Sequence, residues 1–222
     1  MAYAIGEKYK LCLKNKRFIY NFILSLVFLL IGIVATFYAI IYATDRASNP
    51  VSDIILSNIP VFDVDGIFLY GPVVFWVIIG IYLVFHEPRK IPFTLKSIAL
   101  FTLVRALSIT LTHIGPFPTG IKIDLNSLIG VFTTGSDLFF SSHTGLPFLM
   151  ALVFWHNKVL RVFCLASSVF FGIIVLMAHV HYSIDVFAAF FITYTIFKIS
   201  EKIFKYDRHV FMMGLDHQNG NA

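Results

Sequence analysis

Apolar residues in this chain run in long, nearly unbroken stretches rather than in the alternating or every-third-residue patterns of soluble elements. Near 18–42, 67–85, 93–113, 138–155, 159–178 and 183–204 these stretches reach about 20 residues, enough for a helix to cross a ~30 Å hydrocarbon core. Inside lipid a lone segment satisfies its backbone polar groups only as a helix. The pattern therefore predicts an all-α, polytopic membrane protein: six transmembrane helices in one bundle over 18–205, a basic tail at 1–17 and a second tail at 206–222. The fourth stretch is interrupted near its start by Ser141-Ser142-His143-Thr144, which suits residues lining a cavity.

Composition agrees. The 222 residues are 58% hydrophobic and 13% charged, far from the roughly 25% charged of a soluble domain. The first stretch is too long for the core of a signal peptide and no small-residue cleavage pattern follows it, so it reads as a retained span. The net charge of +5 does not point to nucleic acid, because the basic residues sit in short clusters beside the apolar runs. Six spans put both termini on one side, with Lys8, Lys10, Lys14, Lys16, Arg17, Arg89, Lys90, Lys96, Lys158, Arg161, Lys198, Lys202, Lys205 and Arg208. The positive-inside rule makes that side cytoplasmic and leaves out Arg46, Arg105 and Lys122. The short tails lean towards a bacterial inner membrane, with the opposite face towards the periplasm or exterior.

That opposite face receives the starts of the fourth and sixth stretches, and with them His143, His181 and Asp185. Ionisable groups at membrane depth are costly and mark function. On a helix, His181 and Asp185 share one face about 5–6 Å apart, near enough for a carboxylate to orient an imidazole. Phosphoryl transfer asks for a nucleophile, an acid for the leaving oxygen and positive charge for the phosphate oxygens. His181 with Asp185, His143, and Arg105 inside the third stretch match these needs in turn. Asp137 reads either as a tuning group for His143 or as a loop acid. His113 and His179 read as hydrogen-bonded contacts between helices, and His86, His156, His209 and His217 as interface or solvent positions. Cys12 and Cys164 lie at different depths and predict no disulfide.

At these residues the chain resembles the sphingomyelin synthase branch of the lipid phosphate phosphatase (type 2 phosphatidic acid phosphatase, PAP2) superfamily. His181-Tyr182-Ser183-Ile184-Asp185-Val186 is similar to its His-Tyr-Thr-x-Asp-Val motif, and Ser141-Ser142-His143-Thr144 to its Ser-Gly-His-Thr motif, with Ser142 where glycine is usual. Asn49-Pro50-Val51-Ser52-Asp53, Arg105 with Ile109-Thr110, and Asp137-Leu138-Phe139-Phe140 are weaker echoes, so the likeness runs over about residues 45–195. The Lys-x6-Arg-Pro and Ser-Arg elements of the plain phosphatase branch are missing, Ile174 and Val175 standing at the latter's place.

The resemblance implies a PAP2-like six-helix bundle that moves a phosphorylated headgroup between membrane lipids through a phosphohistidine. His181 is then the nucleophile, Asp185 its support and His143 the acid and base, with Arg105, Ser141, Ser142 and Asp137 around the phosphate. It requires no cofactor and no metal, although two histidines and an aspartate can also ligate a transition metal. Hydrolysis of a lipid phosphate is the nearest alternative. A haem-binding electron carrier, with axial histidines drawn from His113, His143, His179 and His181, and a lipid-binding protein without turnover complete the range.

Overall fold

A computed structural model describes residues 5–120 and 138–215. Every regular element among them is helical: α1 (Ile5–Lys14), α2 (Lys16–Arg46), α3 (Asp65–Ile81), α4 (Ile91–Leu111), α5 (Ser142–Val153), α6 (Lys158–Met177), α7 (Ser183–Ile203) and α8 (Lys205–Met213). A π turn (Tyr82–His86) and a 3-10 turn (Pro88–Lys90) join α3 to α4.

Five helices are long and apolar enough to cross a membrane: α2, α3 with its π turn, α4 with the preceding 3-10 turn, α6 and α7. The fourth expected span differs. Its helix, α5, has 12 residues, about 18 Å at 1.5 Å per residue, against the ~30 Å of a hydrocarbon core. Helix begins only after Ser141, whose Oγ accepts the Thr144 N–H at 3.4 Å and caps the first turn. The preceding Leu138, Phe140 and Ser141 are non-helical and buried in protein, where irregular backbone is tolerated.

The core is aromatic and lies among α4, α5, α6 and α7, with Phe93, Phe101, Phe140, Leu149, Met150 and Phe154 wholly or nearly wholly buried. Small residues let these helices close up. A Cβ on Gly145 would meet the Phe101 ring at 2.7 Å and Thr193 Oγ1 at 2.9 Å, and one on Gly172 would meet Val186 at 3.1 Å and Thr144 Oγ1 at 3.3 Å. The second contact fixes the depth of α5. Thr144, the third residue of α5, lies beside Gly172, five residues before the end of α6 at Met177, so α5 starts about 4–5 Å short of the end of that helix.

The two expected tails contain helix. α1 docks on the π turn, where Lys8 Nζ and Tyr9 Oη donate to the carbonyls of His86 and Val84 at 2.6 and 2.7 Å. α8 is held by a buried ion pair, Lys96 Nζ lying 2.6 Å from Asp207 Oδ2 and 2.7 Å from Asn21 Oδ1. Polar composition suggested tails because it does not register a single buried aspartate that finds its lysine 111 residues away.

Candidate active site

Three chain segments meet at the end of the bundle opposite α1 and α8. The first is the start of α7. Asp185 lies in its first turn, fully buried. Its Oδ2 accepts the Tyr182 N–H at 3.0 Å while Asp185 N–H donates to the Tyr182 carbonyl at 3.0 Å, which locks the turn. The same Oδ2 lies 3.3 Å from His181 Nδ1, which is also 3.1 Å from the Leu138 carbonyl. Both neighbours of Nδ1 are acceptors, so Nδ1 carries the proton and Nε2 holds the lone pair. The imidazole thus has its electron-rich nitrogen turned away from the carboxylate.

The second segment is the capped start of α5. Ser141 N–H donates to the Asp185 carbonyl at 3.1 Å, fastening α5 to α7. Two residues on, the His143 ring stacks on Phe68 of α3, centroids 4.5 Å apart and planes at 21°. His143 and His181 face each other edge to face with centroids 6.5 Å apart. That spacing is within reach of one phosphate group bridging two ring nitrogens. Ser142 takes ordinary helical backbone. His179 alone among the described non-glycine residues has positive φ, at 56°, so serine fits where the related motif carries glycine.

The third segment is α4. Arg105 is buried, and its Nε donates to the Phe140 carbonyl at 3.1 Å. It anchors the non-helical stretch that leads into Ser141 and His143. Spacing alone could not separate this carbonyl from a phosphate as its partner. Asp137 lies outside the described residues.

A cavity of about 190 Å³ opens beside His143, lined by Ser142, Leu146, Pro147, Pro72, Phe75, Trp76 and Phe171. Apart from Ser142 and His143 its walls are apolar. Two of them are prolines within helices: Pro147 has no N–H for the His143 carbonyl and Pro72 none for the Phe68 carbonyl. The helices therefore loosen beside the stacked pair. No group of three or more His, Cys, Asp or Glu among the described residues is placed to hold a metal.

The loops behind the site were not legible as part of it. Tyr182 Oη donates to the Gly115 carbonyl at 2.8 Å and accepts Val51 N–H at 3.2 Å, tying both loops of this end to the base of α7. Asp53 accepts from Ser183 N–H and Oγ at 2.7 and 2.8 Å. Burial pushes the Asp53 carboxyl up, but hydrogen bonds from Leu56, Ser183 and Ile55 outweigh it and hold the group below the usual carboxylate range. His179 Nδ1 shares a 2.6 Å hydrogen bond with Thr119. Burial pulls this histidine down, against the opposing charge of Asp53. The one signal pointing this way was Asp53 at the end of Asn49-Pro50-Val51-Ser52-Asp53.

Residues 134–202, which include His143, His181 and Asp185, match the family model described as PAP2 superfamily C-terminal. Comparison with curated proteins returns no match. Over these residues the chain is similar to the PAP2 superfamily, which supports a lipid phosphatase or phosphotransferase type of activity, and the long apolar helices support an integral membrane protein.

Proposed function

We propose that this chain is a lipid phosphotransferase that moves a phosphorylated headgroup, such as phosphocholine or phosphoethanolamine, from one membrane lipid to another. One observation carries the reading: His143 and His181 face each other across 6.5 Å, with Asp185 on the far side of the His181 ring. His181 Nε2 attacks the headgroup phosphorus, forming a P–N bond as the P–O bond to the donor lipid breaks. His143 gives its proton to the departing alkoxide. Asp185 holds the proton on His181 Nδ1 and supports the positive charge that the ring acquires. In the second half, His143 takes the proton of an acceptor hydroxyl, the oxygen attacks phosphorus, and the P–N bond breaks to restore His181.

Arg105, Ser141 and Ser142 are the groups proposed to steady the phosphate, by charge and by the open N–H donors at the start of α5; Asp137 is proposed to assist His143. The apolar cavity beside His143 suits a substrate whose phosphate is attached to hydrocarbon. The basic clusters beside the apolar runs favour an exoplasmic site.

Hydrolysis differs only in that water is the acceptor, and the family whose C-terminal model matches takes its name from a phosphatase activity. The two readings separate in one experiment. Purified protein and its His181→Ala variant are given headgroup-labelled phospholipid with ceramide, with diacylglycerol or with no acceptor. Label on a second lipid, dependent on His181, establishes transfer; release of soluble label establishes hydrolysis; an unchanged donor under all three conditions overturns both.

A further inference from the structure

Asp53 is a carboxylate in the 47–64 loop, only 7% exposed and 130 residues from its main partner. Its two oxygens serve two parts of the chain. Oδ1 accepts the N–H groups of Ile55 and Leu56 at 2.8 and 3.1 Å, closing a turn of its own loop. Oδ2 accepts the N–H and Oγ–H of Ser183 at 2.7 and 2.8 Å. Ser183 is the first residue of α7 and stands midway between His181 and Asp185. The anion fills an N–H that the helix itself leaves open and meets the positive end of the helix dipole.

On the reading of the site given above, we infer that Asp53 is a positioning residue, which fixes the first turn of α7 and through it the approach of His181 to His143. A single hydrogen bond from Asp185 cannot do this, because Asp185 and His181 sit on the same turn and move together. The turn needs references outside α7. Leu138 and Ser141 supply them from the side of α5, and Asp53 supplies the one from the 47–64 loop, with the Tyr182 hydroxyl as a further tie to Val51.

The chemistry of the place demands a carboxylate. Three of the four groups that meet Asp53 are N–H groups that can only donate, at both of its oxygens, and the Ser183 hydroxyl donates beside one of them. In Asp53→Asn one terminus becomes NH₂, which faces N–H donors either in the loop or at Ser183, so the tie is weakened on one side. Ser183→Pro cuts it from the other side by removing both the N–H and the hydroxyl. Proline suits the first position of a helix, and Tyr182 before it, at φ −72° and ψ 156°, already has the extended backbone proline requires of its predecessor. The helix can begin while the tie is gone.

Wild type, Asp53→Asn and Ser183→Pro, purified in lipid nanodiscs, test the inference by two measurements. The first is independent of turnover: the His181 Nδ1–H resonance in protein carrying ¹⁵N-histidine. In wild type its bonds to Leu138 and Asp185 protect it from exchange; in both variants it broadens, while helix content and elution volume stay as in wild type. The second is headgroup turnover, where kcat falls by about 10–100-fold, the scale of a small misplacement of reacting groups. KM stays within about twofold, since Asp53 does not line the cavity. A wild-type resonance with unchanged kcat in either variant overturns the positioning role. A wild type that turns over no lipid, while the resonance still depends on Asp53, overturns the functional reading and upholds the tie. Should Asp53→Asn fail to fold, Ser183→Pro decides alone.

Discussion

Asp185 Oδ2 holds His181 Nδ1 at 3.3 Å and, with the same oxygen, the N–H of Tyr182 at 3.0 Å. One atom therefore sets both the tautomer of the ring and the start of the helix that carries it. Asp185→Asn keeps a hydrogen-bonding group of the same shape, so the fold should persist. Turnover should fall by about 10²–10⁴-fold, because the amide no longer favours a proton on Nδ1 or offsets charge on the ring. Kinetics of folded variant protein check this, and near-normal turnover would rule out the orienting role.

If His143 protonates the leaving alkoxide, its importance depends on how poor that leaving group is. His143→Ala should lose about 10²–10⁴-fold on a natural lipid donor. It should lose far less in the first half-reaction with a nitrophenyl phosphate ester, whose leaving group needs no proton. With that donor the variant should accumulate phosphate on His181, detectable by mass spectrometry under alkaline conditions. An equal loss on both donors would remove the acid role.

Acidification gives a third expectation. The Asp53 carboxyl ionises at lower pH in the fold than in the unfolded chain, so the folded state binds fewer protons in between. Its stabilisation is complete above the unfolded value of about 3.9 and is lost as pH falls through the folded value. Ile55, Leu56 and Ser183 donate to it, Tyr182 and His179 feel its charge, and among these His179 opposes that charge when protonated. The gap in Tm between wild type and Asp53→Asn should therefore be widest near neutral pH and close below pH about 4. A gap independent of pH would mean that the carboxylate charge does not contribute.

The ion pair at the opposite end should be costly to break. Asp207→Ala leaves Lys96 buried without its counter-charge, a change of about 3–5 kcal/mol, and the Tm in detergent should drop accordingly. Replacing both members, as Lys96→Met with Asp207→Leu, should restore most of the loss. A double variant no more stable than the single one would show that the pair does more than neutralise itself.

Orientation is open to labelling. Thr119 is exposed at the site end, and the native Cys12 and Cys164 are buried. In a Cys12→Ala, Cys164→Ala background, Thr119→Cys should react with an impermeant thiol reagent added to intact cells. Reaction only after lysis would reverse the topology.

The three residues that the structure brings together, His143, His181 and Asp185, stood out in the sequence because membrane proteins place few ionisable groups at depth and because six spans with their charge bias put all three at one end. The length of α5 was not. Hydropathy runs smoothly through 138–155, whereas Ser141 begins the helix part-way along by capping Thr144. Arg105 was found but its anchor on Phe140 was not, since a carbonyl and a phosphate ask the same of a guanidinium. Asp53 escaped as a partner of the site because a contact across 130 residues leaves no periodic trace.

The late start of α5 sets the depth at which any phosphoryl group would be carried. His181 is 5% exposed, and the space beside His143 is walled by hydrocarbon and aromatic rings. For an enzyme working through His181, the lifetime of the loaded state is then governed by what can reach that depth rather than by intrinsic reactivity. If those walls keep water sparse, an amphiphile dissolved in the bilayer has the advantage. The choice between handing the group on and losing it becomes a matter of local concentration, set by where one short helix begins.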